Sequence, residues 1–308
     1  MITHGADRWT LSDRAVRYWC ILPMLLLLIA FNIFPLLTSL YISAHDYRRG
    51  IHRGLGDAKF VGMDNYRANL NSPPNQEPWK SFQRTAAMVV VTVSLQTAIG
   101  FSVALLLVRK FRGREVITAL LLIPMTLSPA VVAAFWKYMF NADIGIINEL
   151  TGITGAWSGY SPRAFWSVVI VEVWLWTPFM MLLSLAGLNA IPPSLYEAAE
   201  VDRASAWFRF RHITLPLAMP MVLLGVVFRV MDTFRLFDTP NVLNGDAMGQ
   251  DTTLVSVLLY NRAKNDSANM GIGTALAYLL LIVAVALGNI AVHYLAKMRE
   301  REKTRGAA

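Results

Sequence analysis

The stretch YWCILPMLLLLIAFNIFPLLTSLYISAH, residues 18 to 45, contains no aspartate, glutamate, lysine or arginine over 28 consecutive residues. A helix needs about 20 predominantly apolar residues to cross the hydrocarbon core of a bilayer. The run is longer than the apolar region of a secretory signal peptide and lacks a small-residue cleavage pattern. We therefore expect it to form a retained transmembrane helix.

Five further charge-free runs follow along the chain. They are Thr85 to Val108, Val116 to Trp136, Val173 to Tyr196, His212 to Phe228 and Ser267 to Ala296. The fourth helix is expected to begin earlier, near Ala164, and to carry Glu172 inside it. In the third, Pro124 and Pro129 predict a distorted helix. The pattern predicts an all-α integral membrane protein with six transmembrane helices.

The net charge of the chain is +8, and the position of its basic residues predicts which loops face the cytoplasm. Cytoplasmic loops of membrane proteins are enriched in lysine and arginine. With the N-terminus inside, the inner segments hold 15 basic residues in 59, and the outer segments hold 12 in 107. We therefore expect cytoplasmic tails at 1–17 and 297–308 around a transmembrane domain at 18–296. The basic loops explain the charge without nucleic acid.

The sequence contains no catalytic or metal-binding constellation. The phosphate-binding motif G-x-x-x-x-G-K-[ST] and the zinc motif H-E-x-x-H are both absent. The single cysteine, Cys20, cannot form an intrachain disulfide, and the five histidines are scattered. We therefore expect a protein that is not an enzyme and that binds no metal or cofactor of its own.

A polar segment, YEAAEVDRASAWFRFRHITLPLAMP at residues 196 to 220, separates the fourth run from the fifth. Ser194 and Glu197 have the spacing of a capping box, which predicts a helix that starts at Ser194. A turn near Arg203 interrupts this helix. Ser205 can then cap a second short helix that carries aromatic residues.

The predicted helix–turn–helix at 194–212 faces the cytoplasm, and three roles are open to it. It could lie on the lipid surface, pack within the chain or dock a partner protein. Its acidic residues argue against lipid, because interfacial helices favour lysine and arginine on their polar face. Ala198 and Ala199 would bury little area in lipid, but they allow a partner's backbone to come close.

This segment resembles the EAA loop of ABC-importer permease subunits, whose pattern is EAA, three residues, Gly, nine residues and I-x-L-P. The letters EAA occupy residues 197–199, and Ile213 and Pro216 follow at the required intervals. Arg203 stands where the family has glycine. A glycine there would permit a positive φ, which costs other residues roughly 1–2 kcal/mol.

The resemblance implies that the loop docks into a groove on an ATPase subunit, with Glu197 meeting a basic residue of that partner. The alternative for Glu197 is the capping box alone, and both roles can coexist. The coupling residues implied in this way are Glu197, Ala198, Ala199, Asp202, Arg203, Trp207, Ile213, Leu215 and Pro216.

A second resemblance covers FRVMDTFRLFDTPNVLNGD, residues 228 to 246. It is similar to the region FRxxDxFRxFDxxYVLTGG of carbohydrate-importer permeases, and specifically of the first of their two permease subunits. Asn241 replaces the tyrosine, and the Thr-Gly-Gly run has become Asn244-Gly245-Asp246. The resemblance spans roughly residues 15 to 300 and implies the type I ABC-importer transmembrane fold.

Alternating charges recur every three residues from Arg229 to Asp238 and would stack on one face of a helix. At about 1.5 Å per residue, Asp232 lies about 28 Å from Ile213, at a height similar to that of Glu172. Acid and base can therefore meet across the fourth and fifth spans. The charges form either a structural ion-pair ladder or a polar vestibule that receives a hydroxylated solute.

Aromatic residues in EVWLWTPFMM, residues 172 to 181, offer faces against which sugar rings can pack. The alternative is an aromatic belt at the membrane interface. Trp174 and Trp176 point in different directions on a helix, so at most one of them lines a path. The candidate pathway residues are Glu172, Trp174, Trp176, Thr177, Phe179, Arg229, Asp232, Thr233 and Arg235.

The resemblances imply a permease subunit of a binding-protein-dependent ABC importer that moves a sugar or related polyol by alternating access. The implied partners are a second homologous permease, an ATP-binding subunit dimer that holds ATP and Mg, and an extracytoplasmic solute-binding protein. The implied location is the bacterial cytoplasmic (inner) membrane. Two alternatives remain: a secondary transporter driven by an ion gradient through Glu172 and Asp232, and an ABC importer for a non-sugar solute.

Overall fold

The computed structural model describes residues 13–48, 51–52, 54–72, 78–153, 155–159, 161–245, 253–264 and 269–306. Most of these residues are helical, as the predicted all-α class requires. The chain divides into two compact units. The first contains the residues up to Leu70 together with Arg262–Tyr278, and the second contains Asn71–Asn261 and the residues from Leu279 onward.

The first unit begins with an apolar helix and a small folded loop. Its elements are α1 (Asp13–Leu28), a π-helical turn (Ile29–Ile33), α2 (Phe34–Ser43), β1 (His45–Asp46), a 3-10 turn (Leu55–Asp57), β2 (Lys59–Phe60) and α3 (Asp64–Leu70). The strands pair in antiparallel fashion. The Asn65 amide donates hydrogen bonds of 2.9 Å to the carbonyl oxygens of Ser43 and His45, which folds the loop back onto the end of α2.

The second unit is a helical bundle. Its elements are α4 (Trp79–Leu107), α5 (Arg114–Thr126), α6 (Pro129–Met139), α7 (Ile146–Thr151), α8 (Ala164–Asn189), α9 (Pro193–Val201), α10 (Ala206–Arg209), a π-helical turn (Phe210–Thr214), α11 (Leu215–Phe234) and α12 (Asp238–Asn244). Two helices, α13 (Val255–Lys264) and α14 (Met270–Gly306), belong partly to each unit.

Helix α8 forms the centre of the bundle, where it packs against α4 and α11. Gly100 of α4 lies so close to α8 that an added Cβ would come within 2.8 Å of the Met180 Cβ. At Gly187 of α8, an added Cβ would lie 3.0 Å from the carbonyl oxygen of Ala218 in α11. Small residues thus let the helix backbones approach closely, as is common between transmembrane helices.

Five helical stretches of the described chain are long and apolar enough to cross a membrane. They are Ile21–Ser43, Trp79–Leu107, Ala164–Asn189, Ala206–Phe234 and Met270–Ile290. Helices α5 and α6 form a sixth span if they are counted together, although they meet at an angle of 94°. The number agrees with the six predicted helices, and the fourth begins at Ala164 as expected.

The sharp bend lies in the third predicted span, where two prolines indicated distortion. Ser128, the residue between α5 and α6 that precedes Pro129, is extended with φ −64° and ψ 131°. A residue before proline is disfavoured in the α conformation, so the helix stops there. Pro129 then starts α6 at its first position, where a missing N–H costs little. The predicted distortion is confirmed as a break.

Two π-helical turns precede prolines in the same way. The turn Ile29–Ile33 ends two residues before Pro35, and the turn Phe210–Thr214 ends two residues before Pro216. A proline inside a helix clashes with the carbonyl group four residues earlier. In both places that carbonyl belongs to the π-helical turn, whose wider winding accommodates the ring. Both prolines therefore remain inside long apolar helices.

The predicted tails lie only partly within the described residues. Residues 1–12 are outside them, and α1 begins at Asp13. Within the predicted C-terminal tail, 297–308, helix α14 continues without a break to Gly306. The helix therefore continues for about ten residues past the charge-free run that ends at Ala296.

Candidate functional site

The segment Pro193–Thr214, here called the hairpin, begins one residue earlier than the sequence predicted. Helix α9 has Pro193 at its first position and Pro192 as its N-cap, with no side-chain cap. A proline suits the first position because its φ is already helical and its missing N–H is not needed. Ser194 therefore lies inside the helix, and the predicted capping box with Glu197 is wrong. Glu197 is exposed.

The turn after α9 has the geometry expected of glycine, although the residue is an arginine. Arg203 has φ +53° and is the one non-glycine residue with positive φ in the described ranges. Its N–H donates to the carbonyl of Glu200 at 3.0 Å, and the N–H of Ala204 donates to the carbonyl of Ala199 at 2.9 Å. These two bonds define a Schellman motif, in which the left-handed residue is usually glycine. The turn is thus retained, with Arg203 in a strained conformation.

Helix α10 is capped as the sequence predicted. The Ser205 hydroxyl oxygen accepts a hydrogen bond of 3.2 Å from the N–H of Phe208. The helix is not separate from the fifth span, because α10, the π-helical turn and α11 form one continuous stretch, Ala206–Phe234. Trp207 is 66% exposed, and its ring stacks on Phe210 at a centroid distance of 5.6 Å.

Two contacts brace the hairpin internally, and a third packs it against the membrane spans. The hydroxyl oxygens of Tyr196 and Thr214 are 2.9 Å apart, which joins α9 to the start of α11. Arg209 donates to the Glu200 carboxylate at 2.7 Å across the turn. Ile213 packs against a buried cluster formed by residues of α4, α8 and α11. The hairpin is therefore packed against α4, α8 and α11 through Ile213.

A groove of about 510 Å³ opens between α9 and α10. Its lining is mainly apolar and small, and consists of Leu195, Ala198, Ala199, Asp202, Ala204, Ser205, Phe208 and Ile213. Four predicted coupling residues, Ala198, Ala199, Asp202 and Ile213, thus surround one groove. Glu197, Arg203 and Trp207 are exposed on the hairpin, whereas Leu215 and Pro216 lie in the first turn of α11.

The second candidate region, here called the charged cluster, is centred on Arg229 of α11. Its guanidinium donates through Nη2 to Glu172 Oε2 at 3.3 Å and through Nη1 to Asp232 Oδ2 at 2.9 Å. Its Nε donates to Gln96 Oε1 at 3.0 Å, and Nη2 also reaches Thr233 Oγ1 at 3.2 Å. The Arg229 side chain is only 2% exposed. The predicted meeting of acid and base across the fourth and fifth spans is confirmed.

Glu172, on α8, is equally buried and fully engaged. Its Oε1 accepts a hydrogen bond of 2.6 Å from the Thr239 hydroxyl of α12, and its Oε2 accepts from Arg229. Its backbone carbonyl accepts a bond of 2.9 Å from the Gln96 amide of α4. A buried ion pair is stable only when further hydrogen bonds satisfy both ions. The cluster meets that requirement with side chains from four helices.

Two members of the cluster were not predicted from the sequence. Gln96 lies in a charge-free run, where a glutamine within a transmembrane helix signals a polar partner inside the protein. In the structure its side chain is fully buried. Thr239 follows the charged repeat by one residue and gives no comparable signal, because threonine is ordinary at the start of a helix. Its role depends on how α12 turns back toward α8.

The predicted ladder of alternating charges is only partly present. Asp232 accepts from Arg229 at 2.9 Å and from Arg235 at 3.5 Å, so three of the charges are connected. Helix α11 ends at Phe234, and Asp238 begins α12 instead of continuing the ladder. The inclusion of Asp238 was therefore wrong, because the chain changes direction between the two helices.

The aromatic candidates on α8 separate as predicted. The Arg229 guanidinium lies over the ring of Trp176, 4.5 Å from its centroid. Trp174 instead contacts Trp136 edge to face at 5.9 Å, so the two tryptophans point in different directions. Phe179 lies edge-on to Trp176 at 6.5 Å. The Thr177 hydroxyl donates to the backbone carbonyl of Val173 at 2.5 Å, within its own helix.

Six of the nine predicted pathway residues fall into two groups. Glu172, Arg229 and Thr233 are buried and bonded to one another or to their neighbours, so a solute has no access to them. Trp176 and Phe179 are half-buried, and the Asp232 side chain is 48% exposed. Aromatic faces beside a carboxylate can hold a hydroxylated ring by packing and hydrogen bonding. No group of residues that could hold a metal ion occurs in the described part of the chain.

Comparison with known proteins agrees with this architecture. Among solved structures, a bacterial ABC transporter involved in the import of the acidic polysaccharide alginate matches with a TM-score of 0.76. The match covers 92% of this chain and 95% of the other at 18% identity, and it shows that the fold is the type I importer transmembrane fold.

Curated relatives match over most of their length. The trehalose/maltose transport system permease protein MalF of Thermococcus litoralis is 38% identical over 87% of this chain and 90% of its own. The trehalose transport system permease protein SugA of Mycobacterium tuberculosis is 31% identical over 88% of this chain and 85% of its own.

A family profile described as "Binding-protein-dependent transport system inner membrane component" matches residues 96–304. This match covers the hairpin, the charged cluster and most of the membrane spans. It favours a binding-protein-dependent importer over a transporter driven by an ion gradient. The chain therefore belongs to the inner-membrane permeases of binding-protein-dependent ABC transport systems.

Proposed function

We propose that this chain is the permease subunit of an ABC importer for a carbohydrate, most directly a disaccharide or a related polyol. The observation that carries the proposal is the 38% identity to a permease named for trehalose and maltose over nearly the whole chain. The half-buried Trp176 and Phe179 and the partly exposed Asp232 suit such a solute, because sugars present C–H faces and hydroxyl groups together.

The hairpin is proposed to dock an ATPase subunit. The groove between α9 and α10 is apolar, open and lined by alanines, so it can accept side chains from another protein. Glu197, Asp202 and Arg203 surround it with exposed charge of both signs. The ATP and Mg belong to that subunit, and this chain binds no cofactor. The hairpin then lies on the cytoplasmic side, together with both termini.

Three further components complete the proposed assembly. A second homologous permease supplies the other half of the pathway, and an extracytoplasmic solute-binding protein delivers the solute. The two ATPase subunits close on ATP and move the hairpins of both permeases. Because the hairpin is continuous with α11, its movement reorients the spans and alternates access to the solute.

The solute is proposed to contact Trp176, Phe179 and Asp232, which lie on the accessible side of the charged cluster. Glu172, Arg229 and Thr233 support this surface from within the bundle. Trp174, Thr177 and Arg235 make contacts with other residues of the chain and are the less favoured candidates.

Copurification tests the proposal as a whole. The tagged chain is extracted from its native membrane, and the proteins that accompany it are identified. We expect an ATPase subunit, a second permease and, with solute present, a binding protein. The purified complex is reconstituted in liposomes, where sugars delivered by the binding protein should stimulate ATP hydrolysis. Uptake that continues without ATP and stops when an ion gradient is dissipated would contradict the proposal.

A charge reversal tests the hairpin. Glu197→Lys should abolish association with the ATPase subunit but leave membrane insertion intact. The matched control is Glu149→Lys, which changes an exposed glutamate of the same kind on α7. A Glu197→Lys complex that purifies whole, with normally coupled ATP hydrolysis, would refute the docking role of the hairpin.

A further inference from the structure

Arg229 makes two kinds of contact within the charged cluster. On one side it is held by Glu172 and Gln96, which are fully buried and belong to α8 and α4. On the other side it contacts Trp176 and Asp232, which are partly accessible. The guanidinium thus contacts fully buried side chains on one side and partly accessible side chains on the other.

The geometry of arginine explains why one side chain can make all these contacts. Its planar guanidinium has five N–H groups in a fixed fork, and its flat face can lie on an aromatic ring. Here the fork engages Glu172, Asp232 and Gln96, while the face covers Trp176. A lysine ammonium is a compact charge and cannot satisfy these positions at once.

The charges of the cluster balance without any added ion. Arg229 and Arg235 are positive, and Glu172 and Asp232 are negative. Asp232 accepts one hydrogen bond from Arg229 at Oδ2 and one from Arg235 at Oδ1, and a carboxylate has about four acceptor sites, so lone pairs remain on its exposed side. These lone pairs can accept hydrogen bonds from solute hydroxyl groups.

We propose that Arg229 is a positioning residue for solute selection: it fixes the Trp176 ring and the Asp232 carboxylate in one relative orientation and does not itself contact the solute. This inference rests on the proposed function, in which Trp176 and Asp232 face the solute. Glu172 and Gln96 hold Arg229 in place, so the orientation of the accessible pair depends on residues that the solute never reaches.

The test compares two disaccharides that the same binding protein delivers, for example trehalose and maltose. The complete transporter is reconstituted in liposomes, and the ratio of the two maximal uptake rates is measured. Arg229→Lys keeps the charge beside Glu172, but it loses the stacking and the fork. We expect the ratio to change by about threefold, the factor that follows from the loss of a partly buried cation–π contact.

The matched control is Arg163→Lys, because Arg163 also lies over a tryptophan ring, 5.7 Å from the centroid of Trp157, but outside the cluster. This variant should leave the ratio unchanged. If Arg229→Lys lowers both uptake rates by the same factor and preserves their ratio, the arginine has only a structural role and the proposal is overturned.

A second variant guards against failure to fold. The double substitution Glu172→Gln with Arg229→Gln leaves no uncompensated buried charge in the Glu172–Arg229 pair, and it should alter the ratio in the same way. If neither variant assembles although Arg163→Lys does, Arg229 serves folding alone, which also overturns the proposal.

Two direct variants separate this inference from the proposed function. Trp176→Ala and Asp232→Asn should each change the uptake ratio. If neither does, the assignment of this surface to the solute is wrong. If both do and Arg229→Lys does not, the pathway assignment stands and only the positioning role fails.

Discussion

The hairpin and the charged cluster both interrupt apolar sequence with charged and aromatic residues, but the two regions differ in the burial of their charged side chains. In the cluster, Glu172 and Arg229 are buried and pair with each other. In the hairpin, Glu197, Asp202 and Arg203 are exposed and have no ion-pair partner in the described part of the chain. The Glu172–Arg229 pair is thus satisfied within the bundle, whereas Glu197, Asp202 and Arg203 on the hairpin remain available to a second protein.

The largest effect is expected when a buried pair is broken. Arg229→Ala leaves the Glu172 carboxylate without its counter-charge, and removing one partner of a buried ion pair costs about 3–5 kcal/mol. The melting temperature of the detergent-solubilised protein should therefore fall steeply. Arg235→Ala removes a cation that bonds the same Asp232 but is 71% exposed, and it should cost at most about 1 kcal/mol. Equal losses from the two variants would mean that burial does not decide how much each arginine stabilises the protein.

A smaller loss is expected from the helix contact beside the cluster. Gly100 lies one turn beyond Gln96 on α4, and an added Cβ would come within 2.8 Å of the Met181 backbone nitrogen. Gly100→Ala should cost about 1–3 kcal/mol by overpacking, measured by thermal unfolding. Gly56→Ala is the control, because its added Cβ meets no atom within 4 Å. A neutral result at Gly100 would mean that α4 and α8 can separate without loss.

In the hairpin, loss of a cap should have a local effect. Ser205→Ala removes the hydroxyl that caps α10, which costs about 1 kcal/mol. Amide hydrogen exchange in residues 206–209 should become about fivefold faster, while exchange in α8 stays unchanged. Ser205→Asp keeps an acceptor at the cap and should restore the slow rate. If exchange accelerates throughout the bundle as well, the hairpin is part of the core and the comparison must be revised.

The smallest change is expected at the strained turn, and it has the opposite sign. Arg203→Gly relieves the positive φ, but it also gives the unfolded chain more freedom, so the net gain is about 0.5–1 kcal/mol. Exchange of the Ala204 amide, which bonds to Ala199, should slow. Arg203→Ala keeps the strain and should not slow it. Loss of coupled transport in Arg203→Gly would show that the guanidinium makes a contact of its own.

The sequence was sufficient to predict the transmembrane helices, but not how sharply they are broken. Charge-free runs of about 20 residues predict spans because hydrocarbon excludes charge, and the start near Ala164 was correct. The 94° break between α5 and α6 was foreseen only as a distortion. How far a proline redirects a helix depends on what the next segment packs against, and that is not encoded locally.

The candidate sites show the same limit. A meeting of Glu172 with a base of the fifth span was predictable, because helical rise places Glu172 at the height of Asp232 in the charged repeat, and the base proved to be Arg229. Gln96 and Thr239 were missed as partners, since they come from segments far away in sequence. The capping box at Ser194 failed because a neighbouring proline was the better helix start. Local patterns predicted the residue types, and tertiary packing decided their partners.

The continuous helical stretch Ala206–Phe234 carries part of the hairpin at one end and part of the charged cluster at the other. At 1.5 Å per residue, Ile213 and Asp232 are about 28 Å apart along this helix. A tilt of about 10° at the hairpin would move the far end by about 5 Å, roughly one helical turn. The π-helical turn Phe210–Thr214, which precedes Pro216, lies at the hairpin end of this helix, and prolines and π-helical turns are the places where helices kink. If the docked protein tilts this helix as proposed, the largest displacement is therefore expected at the far end, beside Trp176.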